Sequence, residues 1–330
     1  MRRKIKSAIL NDGVSWTKTE GDHIVSQVYA GGRMEVLTEI TDLYPEIITT
    51  ENFDAHAANL QDLEVVFSTW GMVSLSKEQL LQLPSLKAVF YAAGATSSFR
   101  APLVDRGIKV CSAAAANAIP VAEFALGQIL LAGAGFFRNT RECTDEKNMR
   151  RCTFRGTGNY DSRVAILGNG TISTRLQEFL SMHNLEVVVV PSRTASRTVS
   201  LEEAFATSFA VVNLFPDRDD NVGVFNAALF EKMMDGAVFI NVGRGRQVNE
   251  ADLIRVLKNR PDLTASLDVQ WPEPPVDGSE LYRLPNVLLT PHTAGSKAAE
   301  LVRMADYMIE DFHRFNRNEP LKYEVTPDQL

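Results

Sequence analysis

The fold is decided by the stretch VAILGNGTIS at residues 164–173. An apolar run leads into a GxG turn, Gly168 to Gly170, which opens a segment with helical spacing. The first glycine permits the tight turn, and the second lets the backbone approach a pyrophosphate that lies on the helix N-terminus. Ser173 takes the place of the third glycine in this pattern and is small enough for close packing of helix on strand. The stretch therefore predicts a dinucleotide-binding turn, although glycine turns after strands are common.

This stretch belongs to a regular series of short apolar runs. Runs that are apolar throughout are typical of parallel strands that are buried on both faces of a sheet. The six runs are 163–167, 186–190, 209–214, 237–241, 263–269 and 286–289. The segments with helical spacing between them include 200–207, 225–234 and 250–259. Strands that alternate with helices in this way predict a doubly wound parallel sheet that binds a dinucleotide.

The first third of the chain repeats the pattern in a shorter series. The candidate strands are 5–10, 64–69, 87–93 and 108–112, and the candidate helices are 78–83 and 101–106. A long apolar helix is expected from about Pro120, and the last helix, 296–315, is expected to return to the first domain. We predict an α/β protein of two Rossmann-like domains. The smaller, flavodoxin-like domain is 1–112 plus 298–330 and binds substrate, and the larger domain, 113–297, binds dinucleotide.

Composition narrows the class of protein. The chain has 330 residues, of which 45% are hydrophobic, and a net charge of −7. These values exclude wholesale disorder and argue against nucleic acid or an anionic membrane as the main partner. Three cysteines are too few for a disulfide framework and lack the close pairing of a zinc site, so we expect a reducing compartment and no metal.

Two apolar stretches bear on the expected location. The run near the N-terminus, residues 8–10, is too short for the core of a signal peptide. The longest apolar stretch, 119–137, is interrupted by Glu123 and Gln128, which favours a buried helix over a membrane span. We therefore expect a cytoplasmic protein without a membrane partner.

The adenosine end of the cofactor site lacks its usual acid. The second strand of a dinucleotide-binding domain often ends in a carboxylate that binds the ribose. Here that strand is followed by Pro191, Ser192 and Arg193. Because arginine forms charge-assisted hydrogen bonds to phosphate, Ser192 and Arg193 favour NADP(H). The alternative is a surface arginine in a polar loop, with NAD(H) bound by the remaining contacts.

Reactive side chains follow three successive strands of the series. Arg244 comes after the run at 237–241, Asp268 and Glu273 after the next run, and His292 after the last. The carboxyl ends of strands line the ligand crevice in open α/β sheets, so these residues can converge there. An arginine can bind a carboxylate and polarise the adjacent carbonyl, and a histidine can give or take the alcohol proton. A neighbouring glutamate raises the imidazole pKa and fixes its tautomer.

Each of these residues also has a plain structural explanation. Arg244 can be a surface arginine, Glu273 a loop residue between prolines, and His292 a buried histidine with its hydrogen bonds satisfied. Together, after a GxG turn, they instead predict hydride transfer between a 2-hydroxy acid and a 2-oxo acid.

The motifs INVGRG (240–245), LDVQWPEPP (267–275) and NVLLTPHTAG (286–295) resemble the D-isomer-specific 2-hydroxyacid dehydrogenase family. The resemblance covers nearly the whole chain. It implies that Arg244 binds the substrate carboxylate, that His292 is the acid/base with Glu273 as its partner, and that Asp268 contacts the nicotinamide end. The resemblance also implies that Thr171, Ile172, Val242, Gly243, Ala294 and Gly295 line the cofactor. With Gly168 and Gly170 of the turn and with Ser192 and Arg193 of the loop after the second strand, these residues and Asp268 are the predicted cofactor-binding set.

The resemblance extends to a loop of the first domain, YAAGATS at 91–97. In the family, the backbone N–H groups of this loop bind the substrate carboxylate, which implies Ala93, Gly94 and Ala95 as substrate-binding residues. The loop carries no basic residue near Tyr91, which argues against a phosphorylated substrate. The alternative is an ordinary turn from strand to helix. The segment 138–155 matches the family's dimerisation arm in position, which implies a homodimer.

The predicted function is interconversion of a 2-oxo acid and a D-2-hydroxy acid by hydride transfer with NAD(P)(H), in which NADP(H) is favoured. Ser173 and Pro191 depart from the family pattern, and Pro191 leaves the preference for NAD in doubt. The alternative is a dinucleotide-sensing, partner-binding relative that turns over poorly, as the C-terminal-binding-protein co-repressors of this family imply. A third possibility is a relative that has lost dinucleotide binding through these two changes.

Overall fold

The computed structural model describes residues 3–14 and 23–326. The chain divides into two compact units. The first unit comprises Met1–Asn117 and Ser296–Leu330, and the second comprises Ala118–Gly295.

Eleven strands are described, five in the first unit and six in the second. They are β1 Ile5–Leu10, β2 Thr41–Ile48, β3 Val65–Ser68, β4 Ala88–Tyr91, β5 Lys109–Ser112, β6 Tyr160–Leu167, β7 Asn184–Val190, β8 Ala210–Asn213, β9 Val238–Asn241, β10 Thr264–Leu267 and β11 Val287–Leu289.

The described helices alternate with these strands. They are α1 Ile24–Val28, α2 Arg33–Ile40, α3 Phe53–His56, α4 Lys77–Leu81, α5 Ala101–Val104, α6 Ala114–Gly133, α7 Phe136–Glu142, α8 Glu146–Cys152, α9 Thr171–Leu180, α10 Leu201–Thr207, α11 Ala227–Phe230, α12 Glu250–Asn259 and α13 Leu301–Asn316. Three-residue 3₁₀ helices occupy Ala57–Asn59, Thr194–Ser196, Asp219–Asn221, Gly245–Gln247, Glu280–Tyr282 and Ala298–Glu300.

Both sheets are parallel throughout and share one topology. The strand order is β2-β1-β3-β4-β5 in the first unit and β11-β10-β9-β8-β6-β7 in the second. The first order is that of flavodoxin-like sheets, and the second is the same order with a sixth strand added at one edge. The predicted α/β class with two Rossmann-like sheets is confirmed. In the second unit the strand order reverses between β6 and β8, which is where such sheets bind ligands.

Apolar side chains cover both faces of each sheet. Along β6, Val164 and Ile166 join one apolar cluster, while Ala165 and Leu167 join another. Successive residues of a strand point to opposite faces, so the two clusters lie on opposite sides of the second sheet. Burial on both faces explains why the inner strands of this sheet are apolar without alternation.

The six strands predicted in the second unit are all present, but one helix is shorter than predicted. The pattern at 225–234 predicts a helix of ten residues, whereas α11 covers Ala227–Phe230. Phe225 instead forms an isolated parallel bridge with Val248, and its N–H donates to the Gln247 carbonyl at 3.0 Å. Helical spacing of apolar residues does not reveal this competing backbone partner.

The edge strand β2 is absent from the apolar runs described above. Among the described strands it pairs with β1 alone, and its sequence TDLYPEII is largely exposed or half-buried. Pro45 has no N–H to donate, and the pairing register shifts between Ser7 and Ile9, opposite this part of β2. An edge strand tolerates proline and needs no continuous apolar run, so the pattern that identifies buried strands misses it.

Among the described residues, one helix is long and apolar enough to span a membrane, and it is α6. Its Ala122, Ala125 and Ile129 side chains are buried in the apolar cluster that contains Val164 and Ile166 of β6. Such packing is typical of a core helix and agrees with the buried helix that the sequence predicts. The predicted start at about Pro120 is wrong, because α6 begins at Ala114 and Pro120 lies within the helix.

The C-terminal helix α13 packs within the first unit, as expected. The Phe312 ring is fully buried and lies 5.5 Å from the ring of Phe67 and 5.8 Å from that of Phe90, centroid to centroid. Phe67 belongs to β3 and Phe90 to β4, so α13 covers one face of the first sheet.

The short helix α4 offers a matched test of packing in the other apolar cluster of the first unit. Leu80 is fully buried in the first unit's core, whereas its neighbour Leu81 is 72% exposed. We expect Leu80→Ala to lower the free energy of unfolding by about 2–5 kcal/mol and Leu81→Ala to change it by less than about 0.5 kcal/mol. Urea denaturation followed by circular dichroism measures both values. Equal losses in the two variants would contradict the orientation of α4.

Candidate active site

Gly168 forms the tight turn after β6. Its φ is +119°, a conformation that side chains rarely adopt. An added Cβ would lie 2.6 Å from the carbonyl oxygen of Leu214, which follows β8. The Gly168 N–H donates to the Val190 carbonyl at 2.8 Å. Only glycine fits this position, where the chain passes between the ends of two neighbouring strands.

Gly170 has the opposite surroundings. It is the N-cap of α9 and makes no side-chain cap hydrogen bond, and an added Cβ would meet no atom within 4 Å. The space beside the start of α9 is therefore open at Gly170. Free N–H donors and the positive end of a helix dipole fit a pyrophosphate at this position. Thr171 and Ile172 form the first turn of the helix.

Ser173 is accommodated without an unsatisfied polar group. Its side chain is fully buried against the sheet, and Gln177 donates to its hydroxyl at 3.1 Å and to its carbonyl at 3.2 Å. A serine in the third position of the glycine pattern is thus compatible with close packing of α9.

Arginines surround the loop after β7. Arg197 donates to the carbonyl oxygens of Pro191, at 2.9 Å, and of Ser192, at 2.7 Å, and so holds the loop. Arg218 lies 3.4 Å from the Ser192 hydroxyl. Arg193 is exposed, and its guanidinium makes no hydrogen bond or ion pair within 4 Å with the described residues. Arg218 pairs with Asp220 at 2.6 Å, and this hydrogen bond, together with the charge of Arg193, lowers the pKa of the Asp220 carboxyl. The sequence predicts Ser192 and Arg193 here but misses Arg218, which comes from the loop after β8.

A buried network of amide side chains supports the loop of Arg244. Asn213, Asn241 and Gln247 are all fully buried. The Asn213 amide donates to the side-chain oxygens of Asn241, at 2.8 Å, and of Gln247, at 2.7 Å. The Asn241 oxygen accepts the Gly243 N–H at 3.2 Å, which fixes the start of the loop. An added Cβ on Gly243 would lie 2.8 Å from the Asn213 amide nitrogen, so the loop packs tightly on the network.

Gln247 ties this network to the loop after β8. Its amide donates to the carbonyl oxygens of Phe215, at 3.1 Å, and of Pro216, at 2.8 Å. Sequence patterns do not reveal these roles, because a single asparagine or glutamine at a strand end is ordinary. The buried, fully bonded amides are recognisable only when the strand ends are brought together.

The Arg244 side chain is half-exposed and has two polar contacts within the described part of the chain. Its Nη1 donates to the Gly243 carbonyl at 2.8 Å, and its Nε lies 3.6 Å from the carboxylate of Asp217. Asp217 follows Pro216 and is a second site residue that sequence patterns miss.

Asp268 is buried and organises the loop that carries His292. One carboxylate oxygen accepts from the Thr290 hydroxyl at 2.6 Å and from the Thr293 N–H at 2.8 Å. The other accepts from the Ala294 N–H at 3.0 Å. Both oxygens thus bind residues of this loop, and contact with a nicotinamide stays a prediction for Asp268.

Glu273 and His292 form a hydrogen-bonded pair, as the sequence predicts. The His292 Nδ1 lies 2.7 Å from a carboxylate oxygen of Glu273. His292 has a φ of +54°, and its N–H donates to the Asp268 carbonyl at 3.0 Å. Glu273 lies between two prolines whose peptide bonds are both cis. The side chains of the pair are 52% exposed for His292 and 37% exposed for Glu273, so the ring is open to a ligand.

The three strands that carry these residues are neighbours in the order β11-β10-β9. Their carboxyl ends therefore meet at one edge of the second sheet, as predicted. Val242 and Gly243 follow β9 at this edge, and Thr293, Ala294 and Gly295 follow β11.

The predicted carboxylate-binding loop follows β4 in the first unit. The Ala93 N–H already donates to the Tyr91 carbonyl at 2.8 Å. The N–H groups of Gly94 and Ala95 donate to no acceptor among the described residues, and the Ser112 hydroxyl holds the loop through the Gly94 carbonyl at 2.6 Å. Burial raises the pKa of Tyr91 to about 12, so this side chain brings no charge to the loop.

Comparison with known proteins agrees with this geometry. Residues 126–294 match the sequence model of the D-isomer specific 2-hydroxyacid dehydrogenase, NAD binding domain. The chain belongs to the D-isomer-specific 2-hydroxyacid dehydrogenase family. The match lies entirely within the second unit and includes Gly168, Arg244 and His292.

Two similar proteins each match about half of this chain, at 34% and 31% identity. An uncharacterized protein in the proB 3′ region of Corynebacterium melassecola is 34% identical over 170 residues, 49% of this chain and 56% of its own. Glyoxylate/hydroxypyruvate reductase A of Salmonella newport is 31% identical over 176 residues, 49% of this chain and 54% of its own. The chain thus spans little more than half the length of these relatives.

Solved structures of the family share the fold. D-mandelate dehydrogenase of Rhodotorula graminis superposes with a TM-score of 0.72 and 20% identity, over 98% of each chain. This likeness extends the common fold from the second unit to the whole chain.

Because the two glycines of the turn have different surroundings, we expect their substitution by alanine to lower the free energy of unfolding by different amounts. We expect Gly168→Ala to lower the free energy of unfolding by about 2–4 kcal/mol, because the positive φ and the contact with the Leu214 carbonyl both oppose a side chain. Gly170→Ala should cost less than about 1 kcal/mol, since its backbone is extended and its surroundings are open. Urea denaturation of the cofactor-free protein measures both. Equal costs would contradict the described turn.

Proposed function

We propose that this protein reduces a 2-oxo acid to the D-2-hydroxy acid by hydride transfer from NAD(P)H. The observation that carries the proposal is the 2.7 Å hydrogen bond between His292 and Glu273 beside the Arg244 loop. In this proposal the second unit is the dinucleotide-binding domain and the first unit is the substrate-binding domain. Their bounds in the structure differ by a few residues from the predicted 113–297 and 1–112 plus 298–330.

The cofactor is proposed to lie at the carboxyl ends of the second sheet. When bound, it supplies the hydride. Its pyrophosphate is proposed to lie against Gly170 and the N–H groups of Thr171 and Ile172, where the helix N-terminus is uncapped. Val242, Gly243, Asp268, Ala294 and Gly295 are proposed for the nicotinamide half, and Gly168 shapes the turn.

His292 is proposed to hold and donate the proton. Because its Nδ1 is hydrogen-bonded to Glu273, its Nε2 is the atom that can donate to a substrate carbonyl oxygen. The carboxylate of Glu273 orients the ring and stabilises the charge of the protonated imidazole. The reverse transfer of the proton, from the alcohol to Nε2, serves the oxidation.

Arg244 is proposed to bind the substrate carboxylate and to polarise the adjacent carbonyl. Its Nη2 group has no partner among the described residues, which leaves donors for a carboxylate. For the first unit, we propose that the N–H groups of Gly94 and Ala95 and the loop at Ala93 are substrate-binding. Without a cation at Tyr91, the substrate is proposed to carry no phosphate.

NADP(H) is the proposed cofactor because of the arginines after β7. Ser192 and the exposed guanidinium of Arg193 can bind a 2′-phosphate, and Arg218 lies beside Ser192. No carboxylate follows β7 directly, and the Asp220 carboxylate, which comes from the loop after β8, is paired with Arg218 at 2.6 Å.

Assembly and location are further parts of the proposal. The segment 138–155, which contains α8, is proposed to form a homodimer; Met149 within it is 58% exposed, and Phe154 is 97% exposed. Exposed apolar side chains of this size are common at interfaces. Three cysteines are too few for a disulfide framework, which supports the proposal of a reducing, cytoplasmic location.

The proposed roles predict the behaviour of two variants. His292→Ala and Arg244→Ala should each lower kcat/KM by about 10²-fold or more, since they remove the proton donor and the carboxylate contact. NADPH binding, measured by fluorescence titration, should survive in both. The assay follows NADPH and NADH oxidation with glyoxylate, hydroxypyruvate, pyruvate and phenylpyruvate.

Arg255→Ala is the control for this assay, because Arg255 forms an exposed ion pair with Glu231 on the protein surface. Wild-type rates in either active-site variant would refute the assigned roles. A wild-type protein that binds cofactor but turns over no 2-oxo acid would instead support the sensing relative.

The cofactor preference has its own test. Arg193→Gln should raise the KM for NADPH by about 10- to 100-fold, because a charge-assisted hydrogen bond to the 2′-phosphate is lost. The KM for NADH should stay within about twofold of the wild-type value, since NADH lacks that phosphate. A wild-type preference for NADH, or equal effects on both cofactors, would overturn the role of Arg193.

A further inference from the structure

Two arginines and two aspartates form a charged cluster where the loops after β8 and β9 meet. One carboxylate oxygen of Asp217 lies 2.5 Å from Nε of Arg246, and the other lies 3.6 Å from Nε of Arg244. Arg246 also pairs with Asp219, at 2.9 Å. Asp217 therefore lies between the two arginines, whereas Asp219 contacts Arg246 alone among them.

The buried amides fix the backbone positions of Asp217 and Arg244 relative to each other. Gln247 donates to the Pro216 carbonyl, directly before Asp217. Asn241 accepts the Gly243 N–H, directly before Arg244. Because Asn213 joins Asn241 to Gln247 in the core, the backbones that carry the two charges are fixed relative to each other. The pair is thus more than a chance encounter of two mobile side chains.

Arg246 holds the Asp217 carboxylate in place. The hydrogen bond with Asp217, and then the one with Asp219, raise the pKa of Arg246 above its ordinary value. One oxygen of Asp217 is engaged in this bond, and the other is directed at Arg244. Arg246 thereby fixes the carboxylate that faces the substrate-binding arginine.

We propose that Asp217 is a positioning residue that orients the Arg244 guanidinium before the 2-oxo acid binds, an inference that rests on the proposed function. Nη1 is held by the Gly243 carbonyl and Nε by the charge of Asp217. Two of the three nitrogens are therefore restrained, and Nη2 stays available to the substrate carboxylate. An arginine that is ordered in advance loses less side-chain entropy on binding, which lowers the KM.

Asp217 also has an opposite effect, because its charge repels an anionic substrate. The opposite charges of Arg246 and Asp219 largely cancel each other. Asp217 and Arg244 are both half-exposed, so solvent screens the repulsion between Asp217 and the substrate. Orientation of Arg244 is therefore the larger effect. The sign of the change in KM separates the two, since loss of orientation raises the KM and loss of repulsion lowers it.

The test compares Asp217→Asn with Asp219→Asn. Asparagine keeps the size of aspartate and removes its charge. Asp217→Asn should raise the KM for the 2-oxo acid about three- to tenfold, with kcat changed by less than about twofold. Its melting temperature and its Kd for NADPH should match the wild type. Asp219→Asn should leave all four quantities unchanged, because Asp219 does not contact Arg244.

Oxalate serves as a probe that needs no turnover. Calorimetry with the cofactor-saturated protein should show the same three- to tenfold weaker binding of oxalate by Asp217→Asn, and unchanged binding by Asp219→Asn.

An unchanged or lower KM in Asp217→Asn, or equal effects of the two variants, would overturn the inference and leave the proposed function standing. A wild-type protein that neither reduces a 2-oxo acid nor binds oxalate would refute both.

Discussion

The hydrogen bonds of buried side chains at the carboxyl ends of β8, β9 and β10 are the constraint on which the site depends. These strands are apolar and buried, so the loops that follow them begin inside the core, where every N–H and C=O needs a partner. Asn213, Asn241 and Gln247 meet this need after β8 and β9, and Asp268 meets it after β10. The loops therefore have one path, and the reactive side chains start from fixed backbone positions.

The side chains that hold the loops and the side chains that can bind a ligand are therefore different residues. The anchoring side chains are buried and have their hydrogen bonds satisfied within the protein. Arg244, Glu273 and His292 are instead 37–52% exposed and keep donors and acceptors for a ligand. Asp268 positions the Glu273–His292 pair through its hydrogen bonds to the loop that carries His292. The amide network positions the Asp217–Arg244 pair through its hydrogen bonds to the backbone before each residue.

Much of the fold was predictable because burial on both faces of a parallel sheet requires continuous apolar runs. The runs at 163–167 and 237–241 correspond to β6 and β9. β2 was not predictable in this way, since it lies at an edge and contains Pro45. The helix at 225–234 was predicted too long, and at its N-terminal end the backbone of Phe225 pairs instead with the chain near Val248. Local spacing carries no information about such distant partners.

The sequence by itself determined the α/β class, the GxG turn and the pairing of His292 with Glu273, because these depend on periodicity, on the special backbone freedom of glycine and on strong local motifs. Only the tertiary structure decided the partners of Arg244. Asp217, Asn213 and Gln247 lie on other loops or strand ends, and their residue types are common in polar turns. Their importance comes from hydrogen bonds and charge interactions between segments distant in the chain, which form only when the parallel strands bring their carboxyl ends together.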